Sequence, residues 1–123
     1  MISVQIVDDD QAITTLLRLL LEGNGFQVMG TASNGQMAID QFGDFSIKPD
    51  VILMDYRMPI KNGIDATIEI LEISSHVKVI FATADEDIKS HAIEIGAYDV
   101  VSKPFDFDDL FNIIKEAANS LII

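Results

Sequence analysis

Two rhythms alternate along this chain. A short apolar run is followed by a helical stripe, and the pair recurs five times. Ser3 to Val7 is the first apolar run and ends at Asp8-Asp9-Asp10. Ile13, Leu16, Leu17, Leu20 and Leu21 then follow the spacing of a helix's apolar stripe. Asp10 is placed to cap that helix and Asn24-Gly25 to end it. Phe26 to Ala32 reads as a second strand, and Gly35 to Phe42 as a short helix presenting Met37, Ile39 and Phe42. Val51 to Met54 is apolar at every position, the pattern of a strand covered on both faces. Pro59 and Asn62-Gly63 mark a loop, after which Ile64, Ile68 and Leu71 lie along a helix over 64–73. Val77 to Thr83 is a fourth strand, Ile88 to Ile95 a weaker helix closed by Gly96, and Tyr98 to Ser102 a fifth strand. After Lys103-Pro104, Phe107 to Leu121 reads as the last helix, with Leu110, Phe111, Ile113, Ile114 and Ala117 inward.

Five strand–helix units in series predict an α/β fold: a five-stranded parallel sheet, doubly wound, with helices on both faces. Right-handed crossovers leave few arrangements of it open. There is no internal repeat, low-complexity tract or linker, so residues 1–123 read as a single domain. The 123-residue length fits one compact core. The apolar tail Leu121-Ile122-Ile123 either packs under the last helix or is the stump of a longer regulator.

Composition narrows the function. Twenty Asp and Glu against eight Lys and Arg leave a net charge of −12. Eight scattered cations draw no basic patch, which argues against direct contact with nucleic acid or an anionic membrane. With no cysteine, disulfide frameworks and thiolate metal sites are excluded, and a reducing compartment fits. The start lacks the cationic region of a signal peptide, and no apolar run approaches a membrane span. The expected setting is cytoplasmic.

In open α/β sheets, sites lie beyond the carboxyl ends of the strands. Four strands deliver a polar residue there: Asp8 and Asp9 after the first, Asp55 after the third, Thr83 after the fourth and Lys103 after the fifth. Adjacent acids at a strand end are ordinarily solvated turns or caps. Asp55 differs because its backbone leaves a buried strand, where an unpaired charge is costly. If the first and third strands are neighbours, three carboxylates converge. One pKa should then rise unless a cation intervenes. Oxygen-only ligands suit Mg²⁺, which takes one or two carboxylates, keeps waters and shares a phosphate. A carboxylate beside it can attack a phosphoryl group and form an aspartyl-phosphate. Such transfer needs positioning and charge neutralisation more than covalent help, tasks that suit the Lys103 ammonium and the Thr83 hydroxyl. Each alone would pass for a surface lysine or a strand-end cap. A cis Lys103–Pro104 bond would turn the lysine back toward the rim.

The motifs are Ile6-Val-Asp-Asp9, Asp50-Val-Ile-Leu-Met-Asp-Tyr-Arg-Met-Pro59, Asn62-Gly63, Ala82-Thr-Ala84, and Gly96-Ala97 leading to Lys103-Pro-Phe105. In this order and spacing the chain resembles, over its whole length, the receiver domain of two-component response regulators of the chemotaxis type. That resemblance implies a flavodoxin-like sheet of order 2-1-3-4-5. It implies Asp55 as phosphoacceptor and Mg²⁺ ligand, Asp9 as a direct Mg²⁺ ligand, Asp8 as a ligand through water and the Arg57 carbonyl as a further ligand. Thr83 and Lys103 would hold the phosphoryl oxygens. A sensor histidine kinase would supply the phosphoryl group. The receiver would catalyse its own phosphorylation and slow hydrolysis, short of being a conventional enzyme. Phosphorylation would reshape a face built from the fourth helix, fifth strand and fifth helix. That face would bind a downstream target protein or the chain's own effector domain, and a phosphorylation-dependent dimer is a further option.

Three positions depart from the family pattern. Val100 stands where an aromatic is usual, three residues before the lysine, and alternation places Tyr98 on the same strand face. Arg57 and Asp85 flank the site. They either form an ion pair that restricts attacking water or project as two solvated side chains. His76 and His91 read as surface residues, Met54 and Met58 as core filling, and Asp85-Glu86-Asp87 as a helix start favoured by the macrodipole. Competing classes fit less well. A haloacid dehalogenase-type phosphatase wants an acid where Arg57 stands. A flavodoxin wants a hydroxyl-rich phosphate loop where three acids stand. A pseudo-receiver would lack Asp55 or Lys103. Within the receiver class, a stand-alone relay and a domain cut from a DNA-binding regulator both remain. The Met1 start and the end at the last helix favour the first.

Overall fold

A computed structural model describes residues 1–120, and the Leu121–Ile123 tail lies outside them. The strands are β1 (Ser3–Val7), β2 (Gln27–Ala32), β3 (Val51–Met54), β4 (Lys78–Thr83) and β5 (Asp99–Ser102). The helices are α1 (Gln11–Gly23), α2 (Gly35–Asp44), α3 (Gly63–Ile73), α4 (Lys89–Glu94) and α5 (Phe107–Asn119). All strand pairs are parallel, in the order β2-β1-β3-β4-β5. Strand order reverses at β1, so the crevice between β1 and β3 is where a ligand site belongs.

Pleat alternation sorts the core into two layers. Ile52, Met54, Val79 and Phe81 point to one face, where Phe42 of α2, Ile64 and Ile70 of α3 and Ala92 of α4 cover them. Val4, Ile6, Val51, Leu53 and Ile80 point to the other, under Leu17 and Leu21 of α1 and Leu110 and Ile114 of α5. Burying each large side chain contributes about 1.5–3 kcal/mol, so both helical layers are held mainly by this contact. The apolar reading of β1 misses one residue. Gln5 is fully buried, and its amide donates to the Ala38 carbonyl (3.2 Å) and to Gln41 Oε1 (3.0 Å). Gln41 in turn donates to the Thr31 carbonyl at 3.1 Å, which ties α2 to the β1–β2 edge.

The expected caps are present. Asp10 accepts from the Ala12 and Ile13 amides at 2.9 and 3.3 Å, and Asn24-Gly25 closes α1 with Gly25 at φ 88°. Three expectations need correction. The fourth helix does not run from Ile88 to Ile95; a 3-10 turn at Glu86–Ile88, capped by Asp85, leads into a shorter α4. The fifth helix ends at Asn119, with Ser120 as its cap. Tyr98 does not share a face with Val100. Regular pairing begins only at Asp99, and Tyr98 packs against the core layer on the α5 side. Val100 packs against the core layer on the other face.

The loop from β3 to α3 is folded back on itself. Gly63 N–H donates to the Tyr56 carbonyl at 2.9 Å, and Asn62 caps α3 through the Asp65 amide at 2.9 Å. A Cβ at Gly63 would lie 2.0 Å from the Asp55 carbonyl oxygen. Backbone cannot yield there as a side chain can. Gly63→Ala should therefore destabilise the fold by about 1–3 kcal/mol in urea unfolding, whereas Gly43→Ala, which lies in α2 and meets nothing within 4 Å, should raise stability by up to about 1 kcal/mol.

Candidate functional site at the carboxyl ends of the strands

Each site residue is delivered by the strand end that precedes it. Asp8 follows β1, and its amide donates to the Ala32 carbonyl at 3.0 Å. Asp55 follows β3, and its amide donates to the Val7 carbonyl at 2.9 Å, continuing the β1–β3 ladder by one bond. Thr83 closes β4 and Lys103 follows β5; the Lys103 amide donates to the Thr83 carbonyl at 2.9 Å. The ladder itself therefore sets the spacing between the carboxylates, the hydroxyl and the ammonium. The Lys103–Pro104 bond is cis.

The ammonium sits among the acids. Lys103 Nζ lies 2.6 Å from Asp8 Oδ2 and 3.6 Å from Asp55 Oδ2, with all three side chains largely withdrawn from water. The other Asp8 oxygen accepts the Asp10 amide at 2.9 Å. Asp55 Oδ1 accepts the Tyr56 amide at 2.8 Å. Asp8, Asp9 and Asp55 each offer a carboxylate oxygen within 4.8 Å of the others. Such a hard, all-oxygen donor set fits a divalent cation of the Mg²⁺ kind. One ammonium does not fully offset this repulsion. Burial, followed by the charge of Asp8, pushes the Asp55 carboxyl up from 3.8 to about 6, against the lowering effects of Lys103 and the Tyr56 amide.

Thr83 is buried and its hydroxyl oxygen accepts the Asp85 amide at 3.1 Å. Among the described residues, its own O–H proton has no acceptor. Arg57 and Asp85 form the ion pair that the sequence left open: Nε and Nη2 of Arg57 lie 3.1 and 2.6 Å from Asp85 Oδ2. The arginine is 78% exposed at its side chain and the aspartate 17%. These residues, with Ala84 and Lys103, wall an open cleft over Asp55. His76 and His91 are exposed, while Met54 is buried and Met58 half-buried.

Sequence reasoning assigned no role here to Thr14 or to the close approach of Gly63. Thr14 is buried and donates to the Asp8 carbonyl at 3.4 Å and the Asp10 carbonyl at 3.1 Å, fixing the turn that carries the first two acids. Its polar character on the inward side of an apolar helix was the available signal.

A doubly wound sheet with an acidic, lysine-bridged rim at its switch point defines a class of phosphoryl-handling α/β domain. The family follows from comparison. The sequence pattern of the response regulator receiver domain matches residues 4–115, and the chain belongs to that family. It is similar to the chemotaxis protein CheY of Thermotoga maritima (38% identity over 104 residues, 83% of this chain and 85% of that protein). It is equally similar to the protein CcdB of Bacillus subtilis (38%, covering 86% and 88%). Among solved structures, the response regulator domain of Thermotoga maritima CheB superposes with a TM-score of 0.89 at 28% identity, covering 99% of both chains. TrrA of the same organism, in complex with Mg²⁺ and BeF, superposes at 0.84 with 32% identity, covering 95% of this chain and 99% of that one. The protein is thus a two-component response regulator receiver.

The raised carboxyl has a signed consequence. Folded Asp55 keeps its proton to about pH 6, whereas the unfolded carboxyl loses it near 3.8. Across that window the folded state binds more protons, so this group's contribution to stability falls as pH rises. Above the window the ionised carboxylate costs the fold about 1–3 kcal/mol. Asp55→Asn should therefore raise stability by that amount at pH 7 and leave it unchanged at pH 3.5, in urea unfolding at the two pH values.

Proposed function

We propose that Asp55 is the phosphoacceptor of this receiver, taking a phosphoryl group from the phosphohistidine of a sensor kinase. The observation that supports it most directly is the meeting of Asp8, Asp9 and Asp55 around Lys103 on one rim. With its pKa near 6, Asp55 is mostly ionised at neutral pH and available as a nucleophile. A carboxylate oxygen attacks phosphorus, the P–N bond to the donor imidazole breaks, and the imidazole leaves with the electron pair and takes a proton. Asp8, Asp9, Asp55 and the Arg57 carbonyl would hold Mg²⁺, which would neutralise charge on a phosphoryl oxygen. Lys103 moves from Asp8 toward a second oxygen, and the Thr83 hydroxyl donates to a third. Water later attacks phosphorus and regenerates the carboxylate.

An apolar groove beside Lys103, walled by Ile13, Leu16, Leu17, Pro104, Phe105 and Phe107, lies where a kinase could seat its phosphohistidine over Asp55. Output would run through the face of α4, β5 and α5. Thr83 couples the site to that face, because turning its hydroxyl toward the phosphoryl group loosens its bond to the Asp85 amide and so the turn leading into α4. Val100 supplies no aromatic ring to follow that movement, so the threonine and the loop carry it. The relatives span two contexts. CheY is matched along most of its length, and the regulatory protein AtoC of Escherichia coli, 38% identical, along only 24% of its own. The target is accordingly a separate protein or an effector domain in the same chain. The net charge of −12 favours a protein contact over nucleic acid. No helix among the described residues is long and apolar enough to cross a membrane, and a cytoplasmic location fits the assignment. Residues 1–123 would act as one receiver unit.

Incubation with acetyl phosphate and Mg²⁺ should add one phosphoryl mass to the intact protein. Asp55→Asn, or chelation of Mg²⁺, should abolish the gain, and a gain that survives either change contradicts the assignment. The Arg57–Asp85 pair roofs the cleft through which hydrolytic water must come. An exposed pair is worth about 0–1 kcal/mol, so Arg57→Ala should speed phosphate release by up to about fivefold. An unchanged rate would leave the pair without a role in hydrolysis.

A further inference from the structure

On the far side of the β3–α3 loop, Ile60 sits in a conformation that its own chemistry opposes. Its φ is 71°, and the Lys61 amide donates to the Pro59 carbonyl at 2.8 Å. This is a three-residue turn in its rare left-handed form. Glycine or asparagine enters that region readily, whereas a β-branched side chain does so at a cost. Ile60 is also 82% exposed, so it gains nothing from core burial in return. Strain of this kind persists where it serves a site.

Ile60, Met37 and Phe45 supply the apolar side chains that line a shallow groove beside α2. Met37 is itself 44% exposed. The turn is fastened to α2, because the Gly35 amide donates to the Lys61 carbonyl at 2.9 Å. A Cβ at Gly35 would come within 2.5 Å of the same oxygen. The rim carries Gln36, Asp40 and Asp44, and no lining residue is cationic. Of the nearby lysines, Lys61 is paired with an acid of its own, Glu69. Lys48, bonded only to the neutral Phe42, Gly43 and Phe45 carbonyls, offsets part of the charge of Asp40 and Asp44.

We infer that this groove, formed by α2 and the Ile60 turn, docks a partner segment that presents a bulky apolar anchor flanked by Lys or Arg. Charge complementarity selects that occupant. A second copy of a chain carrying −12 would bring like charge to an acidic rim. The surface is separate from the phosphoryl cleft and from the groove beside Lys103, so a partner held here leaves Asp55 accessible.

The test is a titration of ¹⁵N-labelled protein at low salt with a 15-residue synthetic helix, Leu at i, i+3, i+4 and i+7 and Lys elsewhere. A second peptide carries the same lysines with Ser for Leu. Shifts concentrated on 34–45 and 59–61 with the first peptide only are expected. Ile60→Asn, which suits the left-handed turn, should weaken binding at least about fivefold without lowering the melting temperature. The double variant Asp40→Asn, Asp44→Asn should weaken it similarly. Equal binding of the serine peptide, shifts spread over the whole acidic surface, or undiminished binding by Ile60→Asn would overturn the inference. So would concentration-dependent shifts at these residues in the absence of peptide, which would assign the groove to a second copy.

Discussion

The site depends on one ammonium group held among carboxylates at the end of a parallel sheet. Lys103 reaches Asp8 at 2.6 Å and Asp55 at 3.6 Å. Without a cation there, two poorly hydrated acids would face each other across the β1–β3 crevice. Removing one partner of such a pair leaves a buried charge exposed to repulsion, which is why the lysine and the acids form a unit. Compensation is incomplete, as the elevated Asp55 carboxyl records. Under the proposed function, that residual repulsion is what a bound divalent cation would relieve.

The rest of the fold holds that geometry still. Two apolar layers grip the sheet from opposite sides, and the ladder hydrogen bonds from Asp55 to Val7 and from Lys103 to Thr83 extend the order of the strands into the loops. Thr14 and the Asp10 amide fix the first acidic turn, while Gly63 lets the β3–α3 loop close over the Asp55 carbonyl. The movable parts lie beyond this frame. The Thr83 hydroxyl, the Asp85 cap and the outer arginine are held by single hydrogen bonds or by one largely solvated pair. A change of charge at Asp55 would shift those first.

Much of this was legible in the sequence because it rests on periodicity and on strand-end chemistry. The all-apolar run Val51–Met54 marked a strand buried on both faces, and the acid directly after it had to be paired. Parallel strands alone put Asp8, Asp9, Asp55, Thr83 and Lys103 at the same end of the sheet, and the β1–β3 adjacency, a condition in the sequence reading, brings the three acids together. Legibility ended where tertiary context decides. Tyr98 left the face that alternation assigned it because regular pairing begins one residue later. The fourth helix shortened because Asp85 capped a 3-10 turn in place of an α-helical one. Gln5 passed unnoticed inside a run read as apolar, because its partner Gln41 lies 36 residues away. The left-handed turn at Ile60 carries no local signal, since its sequence offers neither glycine nor asparagine at the centre.

The central claim is that the phosphoryl group lands on Asp55 and on no other of the twenty acids. Its most direct test is chemical trapping: protein treated with acetyl phosphate and Mg²⁺ is reduced with borohydride, which converts an acyl phosphate to an alcohol, and the peptides are mapped by mass spectrometry. The account predicts reduction to homoserine at position 55 alone. Reduction at position 8 or 9, or a phosphoryl mass on His76 or His91, would contradict it.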